Sequence, residues 1–235
     1  MVIPIGKPAG EAPNDEAAEQ ERFLEVLDLT IHTVRDAEVP FVVIGSIASA
    51  ALGRPRWSSR GADIDLFVRA DDAARALAAL SSARFATEQG EPHWMLRAAR
   101  SGVTVDLIYR AAGDLYLDEE MLSRAEEAEF LGRKLPFVSR EDLLVMKALA
   151  FGEQTPSYWH EALGIVARGD LDWEYVLWRA RHGTKRILSL LLYAQSNDLP
   201  VPPRAVHELF DLTEGGEQES EERERWNTGP SLPTT

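Results

Sequence analysis

The chain has 235 residues, of which 45% are hydrophobic and 27% charged, and its net charge is −14. These proportions predict a globular protein, and no apolar run reaches the roughly 20 residues that cross a bilayer. The absence of cysteine excludes disulfides and thiolate metal sites. The acidic balance disfavours non-specific binding to nucleic acid, which needs clustered Lys and Arg. The N-terminus has no secretory signal pattern, so we expect a cytoplasmic protein.

The first half of the chain predicts alternating helices and strands. Apolar residues at helical spacing are followed by short β-branched runs, which are separated by turns rich in Gly, Ser and Asp. The predicted elements are a helix over 16–36, a strand over 41–44, a helix over 47–52, a strand over 64–68, a helix capped by Asp71-Asp72 and ending near Leu80, strands over 94–98 and 103–109 joined at Ser101-Gly102, and a hairpin pairing 129–131 with 134–138 around Gly132.

From Ser139 onward the pattern becomes helical. Ser139 and Asp142 resemble a capping box, and further helices are predicted over 157–168, 172–182, 184–196 and 203–211, with Asp172 and Thr184 as caps and Gly183 as a stop. The predicted organisation is therefore a flexible N-terminus (1–15), an α/β domain (16–138), a helical domain (139–212) and a disordered acidic tail (213–235), which has too few apolar side chains for a core.

Gly45-Ser46 lies between a predicted strand and a predicted helix. A helix N-terminus presents unpaired backbone N–H groups and partial positive charge, which suit a phosphate group, and glycine allows close approach to the backbone. The alternative is an ordinary strand-to-helix turn. The sequence excludes a P-loop, because no Gly-Lys-Ser/Thr follows, and a dinucleotide fingerprint, because the third glycine is missing.

Asp63-Ile64-Asp65 alternates acidic and apolar residues on a predicted strand. Residues two apart on a strand point to the same face, so the two carboxylates converge. Neighbouring carboxylates repel unless a cation or a proton compensates, and Mg²⁺ prefers such oxygen ligands. The alternative is a solvated polar face of the strand.

Asp106 is a single acid within an otherwise apolar, β-branched run, 103–108. A buried acid is seldom left unpaired. If this strand lies beside that of Asp63, the carboxylate joins Asp63 and Asp65. Three carboxylates of this kind could hold two metal ions for in-line phosphoryl chemistry.

Taken together, these motifs resemble the nucleotidyltransferase family related to DNA polymerase β: Gly45-Ser46, then Asp63-Ile64-Asp65, then Asp106. The resemblance covers 41–109 and extends more loosely over 141–147, which looks like the corresponding segment of bacterial antibiotic nucleotidyltransferases and nucleotidyltransferase toxins. It implies an α/β (α+β) fold, in which a mixed sheet flanked by helices is followed by a helical C-terminal domain.

The resemblance also implies an activity: transfer of a nucleoside monophosphate from a nucleoside triphosphate such as ATP to a hydroxyl group, with Mg²⁺ in a two-metal site and loss of pyrophosphate. Gly45 and Ser46 would hold the triphosphate tail. Asp63 and Asp65 would bind the metals, and Asp106 would bind the metal near the acceptor hydroxyl and help to deprotonate it.

Three basic residues are further candidates for phosphate contacts. Arg56 and Arg60 lie in a loop that is longer than in many relatives, and either could clamp phosphate or be solvated. Lys147 could reach the triphosphate or be a surface lysine on an amphipathic helix.

The resemblance leaves the acceptor open between a small molecule, such as an antibiotic, and an RNA or protein in a toxin–antitoxin-like system. A different class of protein also stays open, namely a non-catalytic relative that binds a nucleotide or a protein partner. The presence of all three aspartates argues against it, because a binding module needs no metal triad.

Overall fold

A computed structural model describes residues 13–52, 57–88, 93–152 and 155–213. Helices and strands alternate in the first half of the chain, and helices follow one another in the second half. The elements are α1 (Pro13–Asp36), β1 (Phe41–Val43), α2 (Gly45–Leu52), β2 (Ile64–Val68), α3 (Ala70–Ser82), β3 (Ala86–Thr87), β4 (Met95–Arg100), β5 (Val103–Ile108), α4 (Glu119–Ser123), β6 (Glu126–Phe130), β7 (Arg133–Phe137), α5 (Arg140–Ala150), α6 (Ser157–Arg168), α7 (Trp173–Ala180), α8 (Thr184–Ser196) and α9 over 203–213.

The strands within the described residues form one mixed sheet in the order β3-β4-β5-β2-β1-β7-β6. At its centre β2 pairs with β5 in parallel, and β1 pairs with β2 antiparallel and with β7 in parallel. The hairpins β4–β5 and β6–β7 turn through two residues each, Ser101-Gly102 and Leu131-Gly132, all with positive φ. Two-residue loops of this kind match the twist of paired strands. The predicted mixed sheet and both predicted turns are confirmed.

One face of the central strands is apolar and fully buried. Ile64 and Leu66 on β2, with Val105 and Leu107 on β5, are 0% exposed. Helices α1 and α3 pack against this half of the sheet and against each other. The alternation that buries one face leaves every second side chain of β2 and β5 on the opposite face, where the acidic residues lie.

The chain divides into two compact units. The first consists of Met1–Arg110 with Tyr116–Val138, and the second of Ala111–Leu115 with Ser139–Thr235. The sheet belongs to the first unit. In the second unit, α5 packs against α6, α7 and α8.

A buried polar network joins α5 to α7 in the second unit. Ser139 caps α5 by accepting a hydrogen bond from the Asp142 N–H (3.1 Å), which confirms the predicted cap. The Asp142 carboxylate is 0% exposed and accepts a hydrogen bond from Nε of Arg179 (2.8 Å), which is itself 1% exposed. The Tyr175 hydroxyl lies 2.9 and 3.0 Å from the two carboxylate oxygens. Both charges are therefore compensated inside the unit.

Several predicted helix ends are wrong by a few residues. Asp71 and Asp72 do not cap α3, because the helix already begins at Ala70 and they occupy its first turn, where negative charge suits the helix dipole. Thr184 does not cap α8, since Gly183 holds that position and Thr184 donates back to the carbonyl of Ala180. Asp172 caps α7 as predicted, by accepting a hydrogen bond from the Tyr175 N–H.

Two short elements were not predicted, namely strand β3 and helix α4. Helix α1 begins at Pro13, inside the segment predicted to be flexible, because proline fits the first helical turn, where its missing N–H is not needed. The rest of that prediction, over 1–12, and the tail prediction over 214–235 lie outside the described residues.

The first testable prediction concerns the buried pair in the second unit. Arg179→Ala removes the cation and leaves the Asp142 carboxylate buried, so we expect the free energy of unfolding to fall by about 3–5 kcal/mol. Urea titration followed by circular dichroism measures this change. Arg181 is the matched control: it is exposed, its guanidinium lies over the Trp178 ring at 3.8 Å, and Arg181→Ala should cost about 1 kcal/mol or less. Equal losses in the two variants would contradict the assignment.

Candidate active site

The three predicted acids lie on one face of the sheet in the first unit. Asp65 on β2 is the direct partner of Asp106 on β5. Asp63 immediately precedes β2 and makes a side-chain hydrogen bond with Thr104, which lies two residues before Asp106. Paired residues of neighbouring strands share a face, as do residues two apart on a strand. Asp106 is 5% exposed, whereas Asp63 and Asp65 are half-buried. The fold therefore brings together the carboxylates that the sequence places 41 and 43 positions apart.

Arg97 on β4 completes this cluster on the other side of Asp106. It is the register partner of Asp106, with Nε 2.7 Å from Oδ1 and Nη2 2.9 Å from Oδ2. This bidentate pairing is among the stronger ionic contacts in proteins. The hydrogen bond to Asp106 raises the pKa of Arg97 further above its already high value, so the guanidinium stays charged.

Asp63 is an acid of this cluster whose pKa is shifted by its surroundings. Burial raises the pKa of Asp63, and the negative charge of Asp106 raises it further, while Arg97 and a hydrogen bond with Thr104 act in the opposite direction. The net effect on the pKa is upward, with burial as its largest cause. A bound cation would favour the ionised form of the carboxylate.

Gly45 is required at the start of α2 for two reasons. Its φ is +69°, a conformation that residues with a side chain rarely adopt, and a Cβ placed there would lie 1.8 Å from Oδ2 of Asp65. The helix start therefore lies directly against the Asp65 carboxylate, where the positive end of the helix dipole is favourable. Ser46 is exposed at the same helix start.

Of the basic residues predicted to bind phosphate, the two that the structure describes each lie beside a glutamate. Arg56 lies outside the described residues. Arg60 is exposed, and its Nε lies 3.4 Å from Oε2 of Glu19 on α1. In the second unit, the Lys147 side chain is 6% exposed, with Nζ 2.9 Å from Oε2 of Glu161 and 4.1 Å from the centre of the Tyr158 ring. Phosphate binding by these residues stays a prediction.

The carboxylate oxygens have the chemistry that Mg²⁺ requires. Within the described residues, however, no group of three or more acids or histidines is arranged as a metal site. Arg97 engages both oxygens of Asp106. A carboxylate has about four lone-pair positions, and a bidentate arginine uses about two of them. The remaining positions of Asp106, with the carboxylates of Asp63 and Asp65, are the oxygen donors that would be available to a divalent cation.

Sequence reasoning missed Arg97 and Thr104. The signal for Arg97 was available, because a two-residue turn at Ser101-Gly102 fixes the hairpin register that places position 97 opposite position 106. Thr104 lies two residues before Asp106 on the same strand and therefore on the same face.

Comparison with known proteins gives a family and a fold. Residues 24–175 match the family model described as "Nucleotidyl transferase of unknown function (DUF2204)". No curated protein matches the sequence significantly. Among the described helices, none is long and apolar enough to cross a membrane.

Similar solved structures include an antibiotic-resistance factor and an antibiotic adenylyltransferase. The solution structure of the antibiotic-resistance factor ANT(2'')-Ia is 15% identical, with a TM-score of 0.50 over 76% of this chain and 99% of that one. Its crystal structure with adenylyl-2''-tobramycin is 17% identical, with a TM-score of 0.49 over 68% and 97% of the two chains. The lincosamide antibiotic adenylyltransferase LnuA, bound to lincomycin, is 16% identical, with a TM-score of 0.43 over 62% and 94%. At these identities the likeness concerns the fold alone.

The contact between Gly45 and Asp65 is testable by a matched pair of substitutions. Gly45→Ala and Gly132→Ala both place a side chain at positive φ, but Gly132 faces open space. We expect Gly132→Ala to lower the free energy of unfolding by about 1–2 kcal/mol, and Gly45→Ala to lower it further and also to weaken Mn²⁺ binding. Chemical denaturation and metal titration measure both effects. Equal stability losses with unchanged Mn²⁺ binding would mean that Asp65 does not depend on the space at Gly45.

The raised pKa of Asp63 predicts that removing this carboxylate raises the Tm, and that the size of the rise depends on pH. The folded state holds this proton more tightly than the unfolded state, so the associated stability is present at low pH and is lost as pH rises through the raised pKa. In EDTA, Asp63→Asn should therefore have a higher Tm than the wild type at pH 7, and the advantage should disappear below pH 3.8, the ordinary value.

Asp71→Asn is the control for this measurement, since Asp71 is an exposed acid in the first turn of α3. It should show no such gain. A Tm of Asp63→Asn at or below that of the wild type at pH 7 would contradict the electrostatic account of the site.

Proposed function

The chain belongs to the nucleotidyltransferase family of unknown function, and from that premise we propose that it transfers a nucleoside monophosphate from a nucleoside triphosphate such as ATP to a hydroxyl-bearing acceptor in a Mg²⁺-dependent reaction. The observation that supports this most is the register of β2 and β5, which pairs Asp65 with Asp106, while Asp63 lies beside them through its hydrogen bond with Thr104. Carboxylates gathered in this way suit a donor that carries its own metal-bound phosphates.

The proposed reaction is an in-line displacement at the α-phosphorus. The acceptor oxygen forms a bond to this phosphorus, the bond to the oxygen bridging the α- and β-phosphorus atoms breaks, and pyrophosphate leaves with the electron pair. The acceptor hydroxyl loses its proton as the new bond forms. Divalent metal, when bound, neutralises the developing charge on the phosphate oxygens. Positioning and charge neutralisation supply most of the acceleration in such reactions.

The role proposed for each residue of the site follows from its position in the fold. Asp63 and Asp65 would hold the metal that accompanies the triphosphate, and the backbone N–H groups at Gly45-Ser46 would bind its tail at the start of α2. Asp106 lies one strand further along the sheet. It would hold the metal near the acceptor hydroxyl and would receive the proton, directly or through water.

The acceptor belongs to one of two chemical groups. One is a small hydroxyl-bearing molecule, such as an antibiotic, and the other is a hydroxyl of RNA or protein, as in toxin–antitoxin-like systems. The net charge of −14 favours the small molecule or a protein over RNA, whose phosphates an acidic surface repels. Because the proposed donor is a nucleoside triphosphate, we propose a cytoplasmic location for the reaction.

Transfer of label tests the proposal directly. The full chain is incubated with each α-³²P-labelled nucleoside triphosphate and Mg²⁺, together with the small-molecule, RNA and protein fractions of a bacterial extract. We expect pyrophosphate release and label in one fraction, with both lost in EDTA. Asp65→Asn should abolish labelling because the carboxylate against the helix start is gone, whereas Asp71→Asn should label normally.

The same preparations separate catalysis from binding. If wild type binds the Mg²⁺–triphosphate but labels no fraction, the non-catalytic reading replaces this proposal. Labelling that persists in EDTA or in Asp65→Asn would overturn the assigned site.

A further inference from the structure

Arg97 is a positive charge built into a site that is otherwise acidic. Its side chain is 35% exposed and that of Asp106 is 8% exposed, and two hydrogen bonds of 2.7 and 2.9 Å join them. The pairing comes from the hairpin register, so it is fixed by the fold rather than by a flexible loop. Nothing in the reaction as proposed above uses this arginine.

The order of the strands determines what Arg97 can do. Asp106 on β5 lies between Arg97 on β4 and Asp65 on β2. Arg97 therefore approaches Asp106 from the side away from the other two acids, so a metal held by those acids does not need to displace it. Its charge still acts across the cluster, as its effect on Asp63 shows. With all three carboxylates ionised, adding Arg97 changes the formal charge of the cluster from −3 to −2.

We propose that Arg97 is a resident counter-ion that makes metal loading depend on the nucleotide. The inference rests on the proposed function, since it assumes that Asp63, Asp65 and Asp106 take a divalent cation. A positive charge beside the site weakens the attraction for a free cation. It also weakens the repulsion of a metal–triphosphate complex, which still carries net negative charge. The two ligands therefore respond to Arg97 in opposite directions.

A merely structural role would behave differently. If Arg97 only kept Asp106 in place, its loss would loosen the cluster, and both the free metal and the metal–triphosphate complex would bind more weakly. Opposite changes in the two affinities are the signature of a charge effect.

The test compares two affinities in the full chain for three variants. Free Mn²⁺ is titrated without nucleotide by electron paramagnetic resonance, and a non-hydrolysable triphosphate analogue is titrated in saturating Mg²⁺ by calorimetry. In Arg97→Gln we expect Mn²⁺ to bind about tenfold more tightly and the metal–triphosphate complex about tenfold more weakly. Arg97→Lys keeps the charge and should stay within about threefold of wild type for both ligands.

Arg100→Gln is the matched control on the same strand. The Arg100 guanidinium donates to the carbonyl of Ala83 and lies over the Phe85 ring, and the alternation of β4 directs it to the face opposite Arg97. Its removal should leave both affinities unchanged. A change in Arg100→Gln equal to that in Arg97→Gln would overturn the proposal.

If Arg97→Gln folds poorly without metal, a measurement of Tm with added Mg²⁺ replaces the titrations. Added Mg²⁺ should then raise its Tm more than it raises that of wild type, because ligand binding stabilises in proportion to affinity. Two results overturn the inference: an equal or smaller rise, or affinities that change together or not at all. If wild type itself binds neither ligand and transfers no label, the proposed function fails as well; if wild type does both, the failure concerns Arg97 alone.

Discussion

Asp65 on β2 and Asp106 on β5 place two carboxylates side by side, and the arrangement of the site in the first unit depends on how their repulsion is offset. Asp65 and Asp106 cannot move apart, because Ile64, Val105 and their neighbours on the opposite face are fully buried and hold β2 beside β5. The repulsion is therefore offset locally: Arg97 binds both oxygens of Asp106, and the start of α2 lies against Asp65. The pKa of Asp63 stays raised, first by burial and then by the negative charge of Asp106.

Much of the fold could be predicted because its signals are local. The helical spacing of Phe23, Leu27, Ile31 and Val34 predicts α1, and all four side chains are buried. Strand β3 and helix α4 could not be predicted in this way. β3 has two residues and exists because it pairs with the edge of β4, and α4 has five residues, too few for a helix that forms on its own propensity.

The candidate site was predictable to the extent that each residue was unusual where it stood. An acid in an apolar strand is conspicuous, so Asp106 could be identified, and the family pattern linked it to Asp63 and Asp65. Arg97 is not unusual on a strand, and its importance appears only when the hairpin register places it opposite Asp106. The burial of Lys147 could not be predicted from the sequence. Its partner Glu161 comes from another helix, and no local pattern predicts a buried ion pair.

The central claim is that these carboxylates hold the metal that accompanies a nucleoside triphosphate. The most direct measurement is a crystal structure of the full chain with Mn²⁺ and a non-hydrolysable triphosphate analogue, with the manganese located by its anomalous scattering. We expect the signal within about 2–2.5 Å of carboxylate oxygens of Asp63 and Asp65, with the triphosphate tail at the start of α2. Manganese and nucleotide bound together elsewhere on the protein, away from β2 and β5, would contradict the account.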